Sequence, residues 1–159
     1  MSLFDSALVR LLPAVPKPVV QLFSSRYIAG ATLAEAVECV RELNGGGKMA
    51  TVDVLGEEIT REEETRAIAQ AYRDVFAAID EAALDSNVSV KLTALGLDLS
   101  YELCRENLLD VVRTAAGYGN FVRIDMEDSS TTDDILRLYR ELRLLYERFG
   151  VGVDPDVRA

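Results

Sequence analysis

Three charged residues stand inside runs that are otherwise apolar and rich in β-branched side chains. Asp53 lies in Ala50-Thr-Val-Asp-Val-Leu-Gly56, Lys91 in Val88-Ser-Val-Lys-Leu-Thr-Ala94, and Asp125 in Phe121-Val-Arg-Ile-Asp-Met126. A charge in a buried strand costs several kcal/mol unless it is paired. Either Lys91 pairs with Asp53 or Asp125 across neighbouring strands and holds an interior together, or these side chains face a mouth where chemistry is done. In the second case the reacting groups come from the ends of different strands, with Lys91 a candidate Schiff-base nucleophile toward a carbonyl. Spacing alone leaves both readings open.

The elements that must position these residues follow a regular order. Each of the three runs reads as a strand. Between them, apolar residues recur at helical spacing over 61–84, with Ile68, Ala71, Tyr72, Val75, Phe76 and Ile79 on one face, and over 101–116, with Leu103, Leu108 and Val111 or Val112. A third such pattern, over 133–149, runs through Ile135, Leu138, Leu142 and Leu145. Thr60 with Glu63 resembles a capping box, Ser100 suits the next N-cap, and Gly117 and Gly119 suit a helix end. An earlier helix over 33–43 runs into Asn44-Gly-Gly-Gly47, which breaks it ahead of the first strand. Alternation of strand and helix demands a parallel sheet covered by helices.

The charged positions are 38 and 34 residues apart, so a fourth strand is due near the end of the chain, where Val151-Gly-Val153 can open one before Asp154-Pro155 interrupts it. Eight units of this size make a (β/α)8 barrel of roughly 250 to 300 residues, and this chain holds about three and a half. An open doubly wound sheet is disfavoured, because Gly45-Gly46-Gly47 precedes a strand instead of following one.

Composition narrows the partners. With 17 basic residues, 27 acidic ones and no histidine, the net charge of −10 disfavours nucleic acid and anionic membranes. Cys39 and Cys104 lie in helical patterns without metal-ligand spacing and read as buried thiols in a reducing compartment. Residues 1–20 are apolar but broken by Asp5, Arg10 and prolines 13, 16 and 18, so they read as a packing segment of a cytoplasmic protein. Their alternative use is as a short helix lying peripherally on a membrane. The acidic group Glu57, Glu58, Glu62, Glu63 and Glu64 reads as a helix N-terminus and a solvated face, and Ser129 to Thr132 as a loop and cap.

Val88-Ser-Val-Lys-Leu-Thr-Ala-Leu95 closely resembles the second barrel strand of proline dehydrogenases. Asp53-Val-Leu-Gly-Glu57 is similar to that family's first strand and loop, Arg123-Ile-Asp-Met-Glu-Asp128 to its third, and Arg26-Tyr-Ile-Ala-Gly30 to its entry into the barrel. The resemblance covers roughly 26–152, with the motifs in the family's order. It implies an α/β fold made of parallel β/α units of a (β/α)8 barrel, with residues 1–48 as an N-terminal helical segment, 49–153 as a partial barrel and 154–159 as a tail. It implies FAD as cofactor, L-proline as substrate, 1-pyrroline-5-carboxylate as product and a quinone as electron acceptor. Lys91 would meet the proline carboxylate, Asp125 would be the active-site carboxylate, Met126 would touch the flavin, and Glu57 would be a gate residue that pairs with a substrate-binding arginine. Asp53 is expected to form a structural ion pair.

The family's later strands and late helix, with the two arginines that clamp proline, have no counterpart here, and Arg158 sits in the tail. The expectation is therefore a truncated chain that self-associates through open sheet edges. The alternatives are a non-catalytic half-barrel descended from the enzyme, and a different barrel enzyme that uses Lys91 as a Schiff-base nucleophile.

Overall fold

A computed structural model describes residues 30, 32–56, 59–145 and 151–153, with backbone only for 144–145 and 151–153. Residues 1–29, with the expected packing segment and most of the Arg26–Gly30 motif, lie outside the described residues. So do Glu57, Glu58, Tyr146 and the tail from Asp154.

The described chain runs α1 (Leu33–Gly45), β1 (Ala50–Asp53), α2 (Glu62–Glu81), β2 (Ser86–Val90), α3 (Tyr101–Gly117), β3 (Val122–Ile124), α4 (Thr132–Leu145) and β4 (Val151–Val153). The four strands form one sheet in the order β1-β2-β3-β4, each parallel to its neighbour. A doubly wound sheet reverses its strand order at a switch point, whereas a (β/α)8 barrel adds each strand beside the last. The order seen here is that of successive barrel units. The expected fourth strand is present at Val151–Val153, in register with Val122 to Ile124.

Sequence explains where each helix begins. Thr32 and Glu35 close a capping box on α1: the Thr32 hydroxyl accepts from the Glu35 amide at 3.3 Å, and the Glu35 carboxylate accepts from the Thr32 amide at 3.0 Å. Ser100 caps α3 by accepting from the Leu103 amide at 3.3 Å. On α2 the expected pairing of Thr60 with Glu63 is replaced. Glu64 accepts the amides of Thr60 and Arg61, both at 3.1 Å, because the helix starts one turn-position later and puts Glu64 at the third residue. Asn44 lies in the last turn of α1, where its amide group donates to the carbonyls of Lys48 and Asp85 and its oxygen accepts the Asp85 amide at 2.8 Å. The triple glycine after it thus begins a turn that is tied to the start of β2.

The strands are shorter than the apolar runs suggest, and they alternate. Val88 and Val90 of β2 are fully buried and pack with Phe76 of α2, Leu108 and Val111 of α3, and Ile124 of β3. Each such side chain contributes about 1.5–3 kcal/mol of apolar burial. The intervening residues carry polar groups: Asn87 accepts from the Thr51 hydroxyl at 2.9 Å across the ladder, and Ser89 meets Asp125. The sheet therefore has an apolar face under the helices and a polar face opposite. After β2 the chain turns at once, through Leu95 and Leu97 amides donating back to the carbonyl of Leu92. Gly96 in this turn has φ +101°, and a Cβ there would stand 3.0 Å from Thr65.

Candidate active site

The shorter strands move the three charged residues from the middle of their runs to one end of the sheet. Asp53 is the last residue of β1, Lys91 follows β2 and Asp125 follows β3. Parallel register makes the three ends neighbours: Asp53 pairs with Ser89, Ser89 with Arg123, and the Asp125 amide donates to the Val90 carbonyl at 3.0 Å. In a barrel of this type that end is where ligands are bound.

Lys91 joins both aspartates. Its ammonium donates to Oδ2 of Asp53 and, at 3.3 Å, to Oδ2 of Asp125. The other oxygen of each carboxylate accepts from a hydroxyl: Tyr72 of α2 donates to Oδ1 of Asp53 at 3.0 Å, and Ser89 donates to Oδ1 of Asp125. The Lys91 side chain is 36% exposed and each aspartate 24%, so the cluster is open enough to meet a ligand. Burial works against the Lys91 charge, but the Asp53 hydrogen bond and the charges of Asp53 and Asp125 outweigh it and hold the ammonium above the ordinary lysine range. A lysine so held stays protonated near neutral pH, which makes it an anion anchor and a poor Schiff-base nucleophile. The expected ion pair of Asp53 is seen, and the choice between Asp53 and Asp125 as partner is resolved as both.

Beyond this cluster, Glu127 in the loop after β3 binds the turn after β2. Its carboxylate accepts from the Thr93 amide at 3.0 Å and from the Thr93 hydroxyl at 2.5 Å. Met126, between Asp125 and Glu127, is half-buried against the hydrophobic core. Cys104 is buried with its thiol directed to the Leu92 carbonyl at 3.5 Å, and burial pushes its pKa up, as an unreactive thiol requires; Cys39 is half-buried. A partly exposed cation held beside two carboxylates suits a small ligand that carries its own anionic group. The expected gate residue, Glu57, lies outside the described residues.

The sequence profile of proline dehydrogenases matches residues 36–151. The chain belongs to the proline dehydrogenase family. It is 40% identical to proline dehydrogenase 1 of Bacillus subtilis subsp. natto over 133 residues, which are 84% of this chain and 44% of that protein. It is 28% identical to the proline dehydrogenase of Deinococcus radiodurans over 122 residues, 75% of this chain and 39% of the relative. The chain thus spans under half the length of the curated relatives it matches. In fold it is similar to proline utilization A (PutA) from Bdellovibrio bacteriovorus, in a crystal structure of the protein inactivated by N-propargylglycine. The TM-score is 0.69 at 24% identity, over 79% of this chain and 16% of that one.

Within this family segment, two partners of the charged cluster, Tyr72 and Ser89, and the Thr93 partner of Glu127 escape a reading by residue type. Tyr72 looks like one more apolar position on the inner face of α2, and Ser89 and Thr93 look like strand residues. The available signal was the spacing of two between Ser89 and Lys91, which puts both on one face of a strand. Nothing in the sequence marks the reach of Tyr72 to Asp53, because that contact depends on how α2 crosses the sheet.

Proposed function

We propose that this proline dehydrogenase segment supplies the first groups of a site that oxidises L-proline to 1-pyrroline-5-carboxylate. The observation that carries this reading is Lys91, held charged between Asp53 and Asp125 at the open strand ends. Lys91 offers the proline carboxylate a fixed cation, and Asp125 would be the carboxylate that meets the ring amine. Met126 is the residue of this stretch that would border the flavin, and Glu57 would close over the bound ligand. When bound, FAD would take a hydride from the ring carbon next to nitrogen and be reoxidised by a quinone. A cytoplasmic protein in peripheral contact with a quinone-bearing membrane is the setting this chemistry implies. No helix among the described residues is long and apolar enough to cross one.

The chain has three lysines, Lys17, Lys48 and Lys91, so labelling lysine with 13C at Cε gives three resolvable NMR signals. With FAD present, L-proline should shift the Lys91 signal in the 159-residue chain, and pyrrolidine, which lacks the carboxylate, should not. Equal responses to both compounds, or none to proline, would sink the reading.

A second reading, self-association, rests on β1. This strand is at an edge of the described sheet, and Met49 and Leu55 beside it are 68% and 69% exposed. Sedimentation should then show a dimer that Leu55→Lys dissociates, and a monomer at all concentrations would count against it.

A further inference from the structure

Tyr72 is fully buried in the helix layer, with its ring among the apolar residues between α2 and the sheet. A hydroxyl in such a place is costly unless it is hydrogen-bonded, and phenylalanine would serve the packing equally well. Its partner is Asp53 Oδ1 at 3.0 Å, with the Val54 carbonyl a distant second acceptor at 3.5 Å. Burial, followed by the charge of Asp53 and the hydrogen bond to it, pushes the phenol's pKa far up, so it remains a donor at any pH the protein meets.

The two oxygens of Asp53 are divided between Tyr72 and Lys91. Asp125 has the same arrangement with Ser89 in place of Tyr72. Among the described residues, the charged groups that face Lys91 are therefore Asp53 at the end of β1 and Asp125 just after β3, each fixed from behind by a hydroxyl. The two anchors differ in origin. Ser89 belongs to the same strand run as Lys91, whereas Tyr72 comes from the helix layer, 19 residues from Asp53. Without the phenol, no second side-chain hydrogen bond among the described residues keeps Asp53 turned toward Lys91, and at a partly exposed strand end its carboxylate is free to turn to water.

We infer that Tyr72 is a positioning residue, which fixes the Asp53 carboxylate so that the Lys91 ammonium is centred between Asp53 and Asp125. Its relevance to proline rests on the reading of Lys91 given above, but its test needs neither proline nor flavin, so the two can fail separately.

The test is competitive acylation of the 159-residue chain with a trace of an activated ester at mildly alkaline pH. The modified fraction at Lys91 is read by peptide mass spectrometry relative to exposed Lys48. Only the free amine reacts, so the ratio reports how firmly Lys91 keeps its proton. Tyr72→Phe should raise the ratio at least about threefold, equivalent to a fall of about half a pH unit in the Lys91 titration. Tyr101→Phe removes another phenol that donates to a carboxylate, that of Glu141 at 3.1 Å, and should leave the ratio unchanged. An unchanged or lowered ratio in Tyr72→Phe, or an equal rise in Tyr101→Phe, overturns the inference. Tyr72→4-aminophenylalanine keeps an N–H donor in the same place and should acylate like the unaltered chain. A raised ratio there also overturns the inference, and this second variant decides if Tyr72→Phe does not fold.

Discussion

Lys91 and Asp125, which follow β2 and β3, meet at 3.3 Å while Lys91 also holds the nearer Asp53, so one ammonium serves two carboxylates. The cluster carries one excess negative charge, and each aspartate leans on Lys91 to offset the other. Removing Lys91 should therefore cost more than removing either aspartate.

This asymmetry can be measured with double-mutant cycles that combine Lys91→Met with Asp53→Asn or Asp125→Asn. The Asp125 pair is longer and partly exposed, so its coupling should be about 1 kcal/mol or less. The Asp53 coupling should be larger, because that contact is closer and its carboxylate is anchored by Tyr72. Urea denaturation of the single and double variants gives both values. A larger coupling for Asp125 would contradict the geometry.

The raised Lys91 titration has a defined sign in stability. A group held above its unfolded value stabilises the fold fully below the ordinary lysine pKa of about 10.4, and this contribution is lost as pH climbs through the higher folded value. Thermal melts from about pH 8 to about pH 11.5 should show an alkaline fall that is smaller in Lys91→Arg, since arginine keeps its charge across that range. Identical alkaline slopes in the two proteins would show that tyrosines and other groups account for the loss.

The unit order, the polar interruptions of the strands and the family motifs were legible because each leaves a local mark: a period, a charge, a turn residue. The fourth strand was legible from the recurrence of units. Strand ends were not. Leu92, Thr93 and Ala94 continue an apolar β-rich pattern, yet Leu92 is fully buried in a turn closed by its own carbonyl. Composition cannot separate a buried turn from a buried strand. This matters for the site, because the turn makes Lys91 the residue at the strand end. The cap of α2 was misplaced by one residue because two adjacent glutamates compete for the same role, and only the helix start decides between them.

Asn107 is another contact that no local pattern reveals. It is buried in α3, where its side-chain amide donates at 3.0 Å both to the Thr65 hydroxyl of α2 and to the Leu95 carbonyl in the turn after β2. Asn107→Leu fills the space but leaves two buried acceptors without this donor, at a cost of about 1–3 kcal/mol. The Thr65 hydroxyl still donates to the Glu62 carbonyl at 2.8 Å, which places the larger loss at Leu95. Chemical denaturation should show a lower midpoint with an unchanged slope. A variant as stable as the unaltered chain would mean that water or a local shift satisfies the Leu95 carbonyl.

Glu127 makes the last of these predictions, because it links the two loops that carry the site. Its carboxylate takes both the amide and the hydroxyl of Thr93, two residues after Lys91, while Glu127 itself lies two residues after Asp125. The link spans 34 residues of chain, so it fixes the β2 end against the β3 end where neither strand's ladder continues. Glu127→Ala removes both contacts, and the expected loss is about 1–3 kcal/mol because the acceptor is charged. Amide hydrogen exchange separates this from a general weakening. Exchange at Thr93 should accelerate far more than at Val88 or Val90, whose amides lie in the sheet interior. Uniform acceleration along β2 would mean that Glu127 supports the fold as a whole and does not specifically hold the ends that present Lys91 and Asp125.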